Sequence, residues 1–140
     1  KIPLGRYFAF SFGNLFFSSF LYSTVVHTLI LLRCGTTADA SLLFKLWALS
    51  ILCFVNVSLL YRALQHFTGT RSIGFIVTLF IVVYEGLCVI LSSSCSKIPL
   101  LMTPAFSGKP LADSLLQIVP LLMIYTGLFG ASLLMRKEEI

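Results

Sequence analysis

Charge is what this sequence has least of. Only 11% of its 140 residues are Asp, Glu, Lys or Arg, against about 25% in an ordinary soluble domain. A water-soluble fold of this length needs a charged surface, and these side chains cannot furnish one. Catalytic groupings are missing as well. The chain has no phosphate-binding glycine loop, no Ser-His-Asp order and no paired carboxylates, so no enzymatic activity is expected of it. Its two histidines, His27 and His66, have no Asp, Glu or Cys at ligand spacing, so neither a metal nor a haem site is expected, and no cofactor. Internal repeats and low-complexity tracts are absent too.

What is present is apolar: 58% of the residues are hydrophobic and thirteen are Phe. Lipid is the solvent in which that composition makes sense, because helices satisfy their backbone groups internally there. One crossing takes about 20 residues. The sequence divides into four such stretches, at residues 7–32, 42–61, 73–93 and 113–135. The expected fold is therefore all-α: a polytopic membrane protein, one transmembrane domain over residues 1–140, built as a four-transmembrane-helix bundle with short connectors. The first stretch is longer than a signal-peptide core and no small-x-small cleavage site ends it, so it reads as a span. Gly35 suits a helix stop, and Asp39 or Ser41 the next N-cap. The one long connector, residues 94–112, carries Pro99, Pro104 and Pro110. Its apolar part, residues 98–102, is too short to cross.

The net charge of +5 comes from basic residues at helix ends, where they anchor to headgroups; no nucleic-acid partner is expected. With four crossings, Lys1, Arg6, Arg62, Arg71, Arg136 and Lys137 share one side, and Arg33, Lys45, Lys97 and Lys109 the other. That bias places both termini on the cytoplasmic or matrix side. Two compartments fit. A start at Lys1 rather than Met and a compact design suit the mitochondrial inner membrane. A disulfide between Cys34 and Cys95, which emerge on the same face, suits the endoplasmic reticulum or plasma membrane; free thiols are the alternative.

Helical wheels assign each span a stripe of small or polar residues. In the first, Ser11, Asn14, Ser18 and Tyr22 align opposite Phe12, Phe16, Phe17 and Phe20. In the second, Lys45, Leu49, Asn56 and Ala63 share a face, with Trp47 opposite. In the third, Gly74, Thr78, Ile81, Glu85, Cys88 and Ser92 align; in the fourth, Asp113, Gln117, Pro120, Ile124, Gly127 and Ala131. Such stripes let membrane helices approach closely and bond across the seam. Gly74, Gly127 and Ala131 are the expected packing positions, and Asn14, Asn56, Gln117, Lys45 and Glu85 the expected intramembrane polar contacts.

Glu85 is the foremost functional candidate, because an ionisable group well inside a span is costly unless paired or used. Lys45 is its expected partner. His27 lies among the Phe rings and is expected to reach headgroups or a neighbour, and His66 to sit solvated in a turn. Asn56-Val57-Ser58 matches a glycosylation sequon, but it falls inside a span. The function expected from these features is that of a non-catalytic subunit of a membrane complex, bound to other membrane-protein subunits and to lipids. The alternative is a small transporter or channel component that uses Glu85.

Overall fold

A computed structural model describes residues 3–35, 39–90 and 111–137 of the chain. These residues form four helices: α1 (Leu4–Cys34), α2 (Ala40–Thr68), α3 (Arg71–Ile90) and α4 (Leu111–Lys137). Three of them, α1, α2 and α4, are long and apolar enough to cross a membrane, as in a multi-pass integral membrane protein; α3 is not among them. The four-span expectation is thus carried by three helices, and α3 starts on Arg71 and runs 20 residues.

The local sequence explains the helix ends. Asp39 caps α2, its carboxylate accepting from the backbone N–H of Ser41 at 3.0 Å and of Leu42 at 3.4 Å. This satisfies donors that a first turn otherwise leaves orphaned. Gly69 ends α2 at φ 68°, a left-handed conformation that glycine takes without steric cost. α2 therefore continues past residue 61, where the apolar run stops, and carries Arg62 and His66 in its last turns. His66 is not in a solvated turn, as the sequence suggested. It is half-buried, with its ring 5.8 Å from that of Phe129 and Nδ1 3.4 Å from Ser132 Oγ.

The central element is α2, which packs against all three other helices and most extensively against α4. α1 also touches α4. Trp47 of α2 meets Thr24 of α1, and Phe54 of α2 meets Tyr22, so these helices run antiparallel. Cys53 clusters with Ile118, and His66 with Phe129, so α2 and α4 run parallel. Gly74 of α3 lies against the backbone of Tyr61 and Gln65, which fixes the α2–α3 hairpin. The main core gathers Leu15, Val55, Leu59, Leu60, Ala63, Tyr125, Phe129 and Leu133 from α1, α2 and α4.

The inward faces differ from the wheels on two helices. α4 buries Ser114, Ile118, Tyr125, Phe129, Ser132 and Leu133. The expected stripe lies on the other side: Asp113, Pro120, Ile124, Gly127 and Ala131 are exposed and Gln117 is half-buried. α1 buries Ser11, Leu15, Ser19 and Ser23, while Asn14, Ser18 and Tyr22 are exposed. Phe12 is not outward; it packs against the core, whereas Phe16, Phe17 and Phe20 are exposed. The physical reason is common to both helices. In lipid the outside is as apolar as the inside, so bulk and polarity do not mark the buried face. Large rings such as Phe129 fill the core as readily as glycine thins it.

Candidate functional site

Two groups of polar side chains lie between the helices. The first joins α1 to α2. Ser23 Oγ donates to the Trp47 carbonyl at 3.1 Å and also pairs with Ser50 Oγ; Trp47 Nε1 donates to Thr24 Oγ1 at 3.1 Å. His27, half-buried, holds Nδ1 2.9 Å from the Ser23 carbonyl. A carbonyl only accepts, so Nδ1 carries the proton. His27 therefore turns back onto its own helix rather than reaching outward. These bonds give the hydroxyls of Ser23, Ser50 and Thr24 and the Trp47 indole partners across the α1–α2 seam.

The second group is a set of buried polar side chains spread over α2, α3 and α4. Glu85 of α3 and Asn56 of α2 are 0% exposed, Ser114 of α4 is 0% exposed and Thr78 of α3 is 6% exposed. The hairpin register puts Glu85 at about the level of Cys53, since each lies about three turns beyond the Gly74–Gln65 contact. Among the described residues neither the amide oxygen nor the amide nitrogen of Asn56 has a hydrogen-bond partner, and neither do Thr78 Oγ1 and Ser114 Oγ.

The other expected site residues fall as follows. Lys45 is half-buried on α2, eight residues before Cys53. Asn14 is exposed on α1 and Gln117 half-buried on α4; neither faces the Glu85 group. Gly74 is buried against α2, where an added Cβ would lie 3.1 Å from the Gln65 nitrogen. Gly127 has nothing within 4 Å of such a Cβ, and Ala131 is exposed, so neither packs against the other described helices. The Cys34–Cys95 bridge lies outside the described residues, as do the Cys88 side chain and Ser92. Cys53 is a free, buried thiol. Among the described residues no three His, Cys, Asp or Glu side chains gather to hold a metal ion.

Sequence reasoning missed Ser114, Tyr125 and Ser132, all buried on α4. Their signal was the spacing they share with Ile118 and Phe129, which repeats on one helical face. Apolar wheels hide it because that face mixes Ser114 and Ser132 with Ile118, Tyr125 and Phe129.

The helices define a multi-pass membrane bundle organised on α2. No protein-family model, no curated protein and no solved structure matches the chain.

Proposed function

We propose that this chain is a non-catalytic subunit of a multi-protein membrane assembly, held through the outward face of α1. The observation that carries the reading is the exposure of Asn14 and Ser18 near the middle of a 31-residue apolar helix. An amide turned to hydrocarbon forfeits its hydrogen bonds, and polar groups on membrane helices find partners across helix seams. Phe10 and Phe17, 77% and 60% exposed, flank that polar edge and offer a neighbouring helix or a lipid chain a bulky surface. On α4, Gly127 and Ala131 add a second outward surface of small residues. Here α3 is taken as a fourth crossing, which places both termini on the cytoplasmic or matrix side by the charge bias.

The experiment is native co-purification in mild detergent with identification of the bound proteins, repeated with Asn14→Leu and Ser18→Leu. Both variants are expected to fold, since neither side chain is buried, and to lose the bound subunits. A chain that stays monomeric, or variants that retain every partner, ends this reading.

Glu85 favours a second reading, in which the chain is a component of a small transporter or channel. Complete burial of a carboxyl inside a membrane bundle is what an ion or proton pathway uses. Reconstituted vesicles decide it. Glu85→Gln should abolish flux while leaving assembly intact; lost assembly with no flux to lose assigns Glu85 to structure.

A further inference from the structure

One edge of α1 carries a spacing of its own. Tyr7, Phe10, Asn14, Phe17 and Leu21 follow one another at alternate steps of three and four residues, and all are exposed. Thr28, exposed as well, falls seven residues on. Thr24 holds the position between them but is half-buried, since it accepts from the Trp47 indole. At about 3.6 residues per turn this edge lies roughly 140° around the axis from the face that buries Ser11, Leu15, Ser19 and Ser23. Steps averaging about 3.5 residues keep two helices in contact as they supercoil left-handedly. That crossing is the common one between membrane helices.

Asn14 is the amide on this edge. It stands about 15 Å from the start of α1 at Leu4, deep in a hydrocarbon core roughly 30 Å thick. Ser23, Thr24, His27 and Thr28 of the same helix all make hydrogen bonds; Asn14 shares in none of them. An acyl chain offers an amide no partner. A helix of a different protein does so only with a donor and an acceptor at matching depth, whereas a second copy of this chain supplies both by symmetry. The basic residues that set orientation insert every copy the same way, so two α1 helices meet parallel with their Asn14 residues at one depth. Around a two-fold axis a residue on the axis meets its own counterpart, and an amide both donates and accepts. A single asparagine in such a seam fixes its register. Gly13, with nothing within 4 Å of an added Cβ, leaves the backbone beside Asn14 open to close approach.

We propose that two copies of this chain dimerise in parallel through this edge of α1, with the two Asn14 amides bonded to each other across a two-fold axis. The inference rests on the reading of α1 as an assembly face and names what occupies it.

Two differently tagged copies co-expressed in one membrane test it. In mild detergent each is expected to carry the other through purification. Asn14→Leu should weaken that association about tenfold, the order expected for interhelical hydrogen bonding between membrane helices. Asn14→Gln, which keeps the amide, should retain most of it. Phe17→Cys, on the edge, should form an oxidative cross-link between copies beyond that of the native cysteines. Phe16→Cys, exposed but off the edge, should not. Tagged copies that separate overturn the proposal, and so do an undiminished Asn14→Leu dimer and cross-linking equal at positions 16 and 17. If the copies separate while other proteins stay bound and are lost in Asn14→Leu, the dimer fails and the assembly reading stands. If nothing at all is bound, both fall.

Discussion

Phe129→Ala is expected to destabilise the bundle by about 2–3 kcal/mol, below the roughly 3–5 kcal/mol typical of such a change in a soluble core. Phe129 is 0% exposed and touches two other rings, Phe8 at 5.6 Å and His66 at 5.8 Å. Those contacts tie α4 to α1 and α2 at one end of the molecule. In water the unfolded reference exposes the ring to solvent, and burial contributes a transfer term. In a membrane the ring of a separated helix lies against acyl chains as apolar as the core. Only the cavity and the lost ring contacts remain, which accounts for the smaller figure. Unfolding in mixed detergent micelles measures it. Phe17→Ala, at a position 60% exposed, is the control and should change stability by less than about 0.5 kcal/mol. Equal losses at the two positions would show that Phe129 does not fill the core.

Gly74→Val should open the α2–α3 hairpin, at a cost near the top of the roughly 1–3 kcal/mol range for overpacking. A Cβ at residue 74 would lie 3.1 Å from the nitrogen of Gln65, 3.3 Å from its Cα and 3.3 Å from the Tyr61 carbonyl oxygen. All three are backbone atoms of a helix, so no side chain can rotate away to make room. Alanine tests the boundary, because its gain in helix propensity, up to about 1 kcal/mol, opposes a shift of a few tenths of an ångström. Valine adds two methyl groups against the same wall and has no such offset. Paired cysteines across the hairpin, cross-linked in native membranes, report its closure. Gly127→Val is the contrast: nothing lies within 4 Å of a Cβ there, so the fold should tolerate it and only association with a partner should suffer. A hairpin that closes normally in Gly74→Val would remove close backbone approach as the reason for glycine.

Legibility varied from helix to helix. On α3 the wheel and the structure agree where residues are described: Gly74, Thr78 and Glu85 are buried and Ile81 is packed against the core. α3 packs chiefly on one neighbour, so one face is sufficient. On α2 the expected Leu49, Asn56 and Ala63 are buried, but so are Ile51, Cys53, Val55, Leu59 and Leu60. A helix enclosed by three others has no single inward stripe for a wheel to find. On α4 the stripe was misplaced to the far side, because Gln117 and Gly127 look like packing residues and Phe129 looks like a lipid contact. The hydroxyls of Ser23 and Ser114 drew no notice, since serine is ordinary on either surface of a membrane helix.

By itself the sequence determined the solvent and the elements. Too few charges exclude a water-facing surface, and long apolar runs, with Gly35 as a stop and Asp39 as a cap, set where α1 ends and α2 begins. It also marked Glu85, because a carboxylate inside an apolar stretch stands out against any background. Only the tertiary structure decided that α2 is the centre, which face of α1 and α4 turns inward, and that Asn56, Thr78 and Ser114 are buried. The reason lies in the solvent. Water distinguishes the inside of a protein from the outside residue by residue, whereas lipid is nearly as apolar as the core it surrounds. What chooses the buried face is then shape and hydrogen bonding between particular helices, and those exist only once the helices have met.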